Sequence, residues 1–307
     1  MAFSQGSRSG LAYVVESTFG TTPATPTFID LPYTTQSLNL TKDRVAGNDI
    51  QPDRMPRTDR HGNRQAGGDI VVDLRKGDYD PLLESAMFNT FSTNTLKVGT
   101  TPKYFSIEDR AEDIDQYRLF TGMAVSSMGV SLAPNQMVTT TFSMVGKDMS
   151  ISGTSAATAD TASSGNAPFD AYSGDLKVAD AGGTLSAVSI VTGLDFTLNN
   201  SLAPTFVVGD DATPQLEYGR AEIEGTITAY FEDAALINRF INETETAIEV
   251  SVDDPTGANP YTFLFPRVKI NSADVPVDGP TSRIINLSFI ALYDSTEGSN
   301  LTITRTA

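Results

Sequence analysis

The sequence predicts a mainly β fold, built as two tandem β units, each with one short flanking α-helix. Three observations lead there. Most of the 307-residue chain alternates apolar and polar residues with period two, between turns rich in Gly, Pro, Asn and Asp. Helical periodicity stands out at only two places. The surroundings of those places are alike. Gly62 and Gly68 lie ahead of Asp69-Ile70-Val71-Val72-Asp73-Leu74 and the apolar set Leu82, Leu83, Ala86 and Met87. Gly219 and Gly225 lie ahead of Thr226-Ile227-Thr228-Ala229-Tyr230-Phe231 and the set Leu236, Ile237, Phe240 and Ile241. Similarity repeated in the same order marks an internal duplication. A chain that carries one small unit twice points to symmetric assembly rather than to a single catalytic cleft.

Taken in order, the alternating stretches 38–40, 137–145, 188–198, 223–231, 247–252, 261–265, 284–292 and 301–303 are predicted strands. Asp80-Pro81 suits an N-cap followed by proline at the first helical position, and Glu232-Asp233 puts negative charge at the start of the second helix. Each helix has one apolar face, expected to lie as a lid over a sheet or barrel end. The repeat extends beyond the helices. Leu38 and Leu40 match Phe196 and Leu198, Met123-Ala124-Val125 matches Val268-Lys269-Ile270, and Thr140-Thr141-Phe142-Ser143-Met144 matches Asn286-Leu287-Ser288-Phe289-Ile290. The expected organisation is a first unit over 1–150, with an N-terminal arm and a long charged loop at 42–64. A linker or exposed loop follows over 151–183, and a second unit over 184–307. The part of the linker at 153–165 is low in complexity, and Phe169 and Tyr172 offer points to pin it down.

Hydrophobic content of 39% supports packed cores. With no cysteine and one histidine, the chain has no disulfide, no thiolate chemistry and no histidine cluster for a metal. No apolar run approaches the roughly 20 residues of a membrane helix. The first ten residues lack the apolar core of a secretory signal, so synthesis in the cytoplasm is expected. Net charge is −17 and unevenly spread: residues 1–150 carry 14 basic against 17 acidic side chains, and residues 151–307 carry 7 against 21. Tight nucleic-acid binding needs clustered cations in place of phosphate counterions. This chain has the opposite balance, which serves solubility or repels a polyanion passing close by.

The segment 42–64 is distinctive. Six basic residues (Lys42, Arg44, Arg54, Arg57, Arg60, Arg64) are interleaved with Asp43, Asp49, Asp53 and Asp59, with Pro52 and Pro56 and few apolar anchors. Such a segment cannot bury itself. Two readings follow: a solvated loop with internal charge pairs, or a docking loop that orders against an acidic neighbour through the carboxylate-matching fork of arginine. The candidate inter-subunit residues are Lys42, Arg44, Asp49, Asp53, Arg54, Arg57, Asp59, Arg60 and Arg64. Catalytic signatures are missing: there is no phosphate loop and no His-Glu-x-x-His, and the glycines at 62, 67 and 68 lead into a strand rather than a helix. His61, in a polar loop, is expected to be solvated or at an interface. Asp210-Asp211 and Asp253-Asp254 sit in Gly/Pro-rich turns, where turn chemistry accounts for them better than weak calcium binding. Carboxylate pairs for glycoside hydrolysis remain open, with nothing to single one out. No catalytic, cofactor or metal residue is assigned.

The run Gly10-Leu11-Ala12-Tyr13-Val14-Val15-Glu16 with Phe19-Gly20-Thr21-Thr22-Pro23 resembles the start of tail tube proteins of long-tailed bacteriophages. So do His61-Gly62-Asn63-Arg64 leading to Gly68-Asp69-Ile70 and Asp78-Tyr79-Asp80, and Asp170-Ala171-Tyr172-Ser173-Gly174 followed by Ile190-Val191-Thr192 and the strand after Gly225. The resemblance covers essentially the whole chain. It implies that the two tandem units are β-sandwich or barrel domains of a structural virion protein, not an enzyme, whose sheets join between subunits into stacked rings, with 42–64 as the inter-ring arm. Partners implied are other copies of itself, a tape-measure protein, a tail terminator and distal tail proteins. DNA would pass through the lumen without specific binding. With two units per chain, trimers of pseudo-sixfold symmetry are expected. The alternative is a β-sandwich adhesin or carbohydrate-binding module, against which stand the lack of tryptophan and of a secretory signal.

Overall fold

The computed structural model describes residues 3–306 except 258, 278 and 281. Its first half comprises β1 (Ser9–Glu16), β2 (Thr27–Asp30), β3 (Thr35–Gln36), β4 (Asn39–Ala46), β5 (Asp59–Asp73), α1 (Asp80–Met87), β6 (Thr95–Lys97), β7 (Tyr104–Ala111), β8 (Gln116–Leu132), β9 (Thr139–Gly146) and β10 (Asp148–Ser152). After β11 (Ala159–Thr161) the second half comprises β12 (Asp170–Asp180), β13 (Ser186–Ala187), β14 (Val191–Asn199), β15 (Ala203–Pro204), β16 (Leu216–Glu217), β17 (Glu222–Tyr230), α2 (Ala235–Ile241), β18 (Thr246–Asp253), β19 (Tyr261–Asp274), β20 (Ile284–Ala291) and β21 (Thr302–Arg305). The fold is mainly β, with two short helices at the predicted places.

The pairings give one long antiparallel sheet in the order β4–β5–β9–β8–β14–β17–β20–β19. Two smaller sheets back it. One runs β2–β1–β7–β8–β10, and the other β13–β12–β18–β19–β21, with β6 added at its end. The long strands β8 and β19 belong to both layers and bend at bulges, as strands that turn sandwich corners do.

The two halves repeat their ladders position by position. Gly68 faces Met144 and Gly225 faces Phe289; Leu40 faces Ala66 and Leu198 faces Ile223. The bulge between Val125 and Ser127 has its counterpart between Ile270 and Ser272, and that between Phe105 and Ile107 has its counterpart between Thr246 and Ile248. A Cβ on Gly68 would meet the Ser37 carbonyl oxygen at 2.5 Å, and one on Gly225 would meet the Asp195 carbonyl oxygen at 2.7 Å. Both glycines therefore let the neighbouring backbone approach closely. Gly225 lies inside β17, within the strand expected at 223–231, and Gly68 lies inside β5, not ahead of a strand as expected.

The ladders also correct the sequence alignment of the last strands. Phe142 and Met144 stand where Leu287 and Phe289 stand, one position away from the match made on sequence. A one-residue slip would have put every side chain on the wrong face. The buried residues of β9 and β20 settle the register.

One apolar core runs through both halves. Phe196 packs against Phe263 and Phe265 with centroids 5.5 and 5.0 Å apart, and Phe265 against Phe289 at 5.7 Å, in the tilted and edge-on geometries that ring quadrupoles favour. Asp80 does not cap α1. It accepts a 2.5 Å hydrogen bond from the Tyr261 hydroxyl and pairs with Arg305, tying the first half to the second.

The segment 151–183 is largely structured, where a linker or exposed loop was expected. β11 pairs with β2, the Thr158 amide donates to Pro26, and Ser155 and the Ala156 amide donate to the buried Glu108. Phe169 is fully buried against Tyr261 at 5.1 Å, whereas Tyr172 is 95% exposed and pins nothing. β12 then pairs along β18. Likewise the charged loop has a β-hairpin stem: β4 and β5 pair from Asn39–Gly67 out to Ala46–Asp59, and the tip, residues 47–58, is irregular.

Candidate assembly surfaces

The long sheet buries one face and shows the other. Met128, Val130, Phe142, Phe196, Leu198, Ile227, Leu287 and Phe289 point into the core. The alternate positions face outward: Ser127, Gly129 and Ser131 on β8, Thr139, Thr141 and Ser143 on β9, Asp195, Thr197 and Asn199 on β14, Thr226 and Thr228 on β17, Asn286 and Ser288 on β20. These are small hydroxyl and amide side chains. They bond to one another, as Ser131 does to Asp195 at 2.5 Å and Thr228 to Asn286 at 3.2 Å. Carboxylates stud the same face at Asp69, Asp73, Asp195, Glu222, Glu224 and Asp274. Lys269, at its border, is held by Glu243 at 2.7 Å. A surface of this kind offers phosphates no cluster of cations to bind.

The two ends of this sheet are open. Among the described residues, β3 and β4 pair only with β5, and the stretch 270–274 of β19 pairs only with β20. Side chains satisfy part of these edges. The Leu38 amide donates to Gln36 Oε1 at 2.8 Å, and the Val275 carbonyl accepts from Arg283 at 3.1 Å. An open edge is a ready template for another strand.

The hairpin of β4 and β5 projects past β9, whose pairing with β5 stops at Ala66. Of the predicted residues, Arg44 pairs with Asp59 at 2.8 Å and Arg57 pairs with Asp53, both exposed. Arg64 lies 3.2 Å from Asp148 within the first half and reaches across to the second half at Asp211, 3.3 Å away, while its amide donates to the Asp211 carbonyl at 2.7 Å. Lys42, Asp49, Arg54 and Arg60 carry no ion pair among the described residues. Internal ion pairs are therefore present both in the stem, Arg44 with Asp59, and in the tip, Arg57 with Asp53. His61 is exposed and lines a groove between the hairpin and Phe206, Val207, Val208 and Asp210. Val208 in the groove and Val45, Ile50 and Met55 on the hairpin are exposed apolar groups. The acidic turns are ordered by their own chain segments: Asp210 accepts from the Ala212 amide, Asp253 from the Asp254 and Asn259 amides, and Asp254 from the Thr256 amide and the Asn259 side chain.

Sequence reasoning missed two features. One is a buried ionic group in the first half, where Glu108 has no exposed side chain and accepts from Arg110 at 2.8 Å. Burial opposes the charge on Arg110, yet hydrogen bonds to Asp160 and Glu108 raise its pKa above the usual value. The signal was present in the run Glu108-Asp109-Arg110 but broke the period-two pattern. The other is the unequal cover of the helices, which depends on their neighbours.

These surfaces define a class: a sheet-built structural subunit with open edges and a polar, carboxylate-rich face. The family model for phage tail tube proteins matches residues 6–291, and the chain belongs to that family. It is therefore a structural component of a phage tail. No curated protein matches the chain. No helix among the described residues is long and apolar enough to cross a membrane.

Proposed function

We propose that three copies of this chain close into a ring of pseudo-sixfold symmetry and that rings stack into the hollow tube of a non-contractile, siphovirus-type tail. The observation that carries this reading is the long sheet, open at both ends and backed by a core, with a face of hydroxyls, amides and carboxylates. Three such sheets supply about 24 strands. At roughly 4.8 Å between strands and a tilt of roughly 40°, they close at about 48 Å across, which leaves a bore wider than duplex DNA. The carboxylate-rich face then lines the bore, where DNA slides without specific binding. The repeated ladders fit two units, 1–150 and 184–307, descended from one by duplication and joined through 151–183.

The arm 42–64 makes inter-ring and inter-subunit contacts, with Lys42, Arg44, Asp49, Asp53, Arg54, Arg57, Asp59, Arg60 and Arg64 as its charged groups. The tube assembles around a tape-measure protein, ends at a tail terminator, meets distal tail proteins at its other end, and is made in the host cytoplasm. It performs no catalysis. Electron microscopy of concentrated protein tests the reading: stacked hollow rings with threefold or sixfold averages are expected, and protein that stays monomeric at high concentration would sink it.

A further inference from the structure

We infer that the joint between the two halves of one chain is the template for the joint between chains: the β3–β4 edge of one copy pairs antiparallel with the open β19 edge of the next, Leu38 opposite Val275 and Leu40 opposite Ala273. The inference rests on the ring reading and specifies its contact.

Within the chain, β8 and β14 join the halves, with Phe196 opposite Val130, Thr197 opposite Gly129 and Leu198 opposite Met128. The equivalences already established by the ladders carry Val130 to Val275, Gly129 to Asp274 and Met128 to Ala273. They carry Phe196, Thr197 and Leu198 to Leu38, Asn39 and Leu40. The strand pair that results is the pair of edges found open. Its facing agrees as well. Leu38 is buried, and Leu40, Ala273 and Val275 pack partly against the core, while Asn39 and Asp274 are exposed. Pro276 takes the place of Ser131. The Asn200 amide donates to Ser126, and alternation along the ladder turns the amide at 131 away from β14, so a proline there removes no bond of the joint.

A second observation points to the same neighbour. At the internal joint the side chain of Asn200 donates to Ala86 at 2.8 Å and to Val125 at 3.3 Å, and α1 is buried with Met87 fully covered. The residues of α2 aligned with Ala86 and Met87 are Phe240 and Ile241, which are 38% and 64% exposed. The equivalent of Asn200 is Lys42. A second copy placed by the same joint would set that cation at the C-terminal end of α2, where the helix dipole favours it, and would cover the two apolar side chains.

The chain has no cysteine, so disulfide trapping reads the register directly. Asn39 and Asp274 lie at opposite ends of the eight-strand sheet, so any bond between them is between chains. They also form a non-hydrogen-bonded pair, whose Cα spacing falls in the disulfide range, while diagonal neighbours at about 7–8 Å fall outside it. The full chain carrying Asn39→Cys and Asp274→Cys, mildly oxidised at assembly concentration, is expected to run as covalent dimers and trimers that collapse on reduction. The yield should exceed that of the shifted pairs Asn39→Cys with Ser272→Cys and Thr41→Cys with Asp274→Cys by at least about tenfold. If the double variant folds poorly, a mixture of the two single variants should give covalent dimers and no trimers. Rings in micrographs together with no matched bond, or with equal yield from the shifted pairs, would overturn the ladder while leaving the ring reading standing. Neither rings nor bonds would overturn both.

Discussion

Helices α1 and α2 hold equivalent places in the two halves, yet α1 buries Leu82, Leu83, Ala86 and Met87, while no residue of α2 is buried. Intrinsic propensity does not explain the difference, since both carry the same spacing of apolar residues. The neighbour does. The C-terminal turn of α1 is held to the second half by the Asn200 side chain, which donates to Ala86, and α1 packs on β8 and β6, whereas the corresponding side of α2 is left open. A chain of two like halves thus uses one joint internally and leaves one set of its surfaces unsatisfied.

The largest expected effect comes from placing a charge under each helix. Met87→Asp should destabilise the fold by about 4 kcal/mol or more, because it buries an unpaired carboxylate. Ile241→Asp should leave the melting of the unassembled chain within about 0.5 kcal/mol of the parent while suppressing rings in micrographs. Equal thermal losses would break the comparison.

A second contrast pairs Glu108 with its ladder equivalent Glu249. Glu108 is fully buried on Arg110, whereas the Glu249 and Lys177 side chains are 21% and 36% exposed. Glu108→Ala should cost roughly 3–5 kcal/mol, leaving Arg110 buried with less compensation, and Glu249→Ala at most about 1 kcal/mol. Chemical denaturation of both variants measures the two values.

Tyrosines then sharpen the picture of the shared core. Burial pushes Tyr79 and Tyr261 up to about 12, from an ordinary value near 10. A raised folded pKa favours the protonated form in the folded state, so this stability is intact below about pH 10 and is lost as pH rises towards 12. Each group would contribute roughly 1–3 kcal/mol. Alkaline unfolding monitored together with tyrosinate absorbance should show the two events coinciding. Tyrosinate signals from both residues in a still-folded chain would contradict it.

The smallest effect on stability is expected at the arm. Arg54→Ala, Arg57→Ala and Arg60→Ala combined should leave the fold intact and weaken polymerisation to a degree that depends on salt, since the arginines are exposed and screened. Normal polymerisation at physiological salt would remove the arm from ring stacking.

Legibility followed burial. Strands with one wet face, such as β9, β14, β17 and β20, alternate cleanly and were read from the sequence to within a few residues. β7 was not, because its central six residues are all buried, charged Glu108, Asp109 and Arg110 among them, and a strand covered on both faces has no period-two signal. The arm was read as charged and partner-seeking, but its hairpin was hidden, since the cross-strand partners Lys42 and Arg64 lie far apart in sequence. The open edges were invisible for the same reason.

By itself, the sequence determined the β class, the two helix sites, the repeat, the acidic balance and the resemblance to tail tube proteins, because each is a local or compositional property. Only the tertiary structure decided the true register of the repeat, the tying of 151–161 to the first half, and which of two equivalent helices and edges is covered. Those depend on contacts between distant strands, where a shift of one residue reverses a face and the cover of a surface is set by what packs beside it.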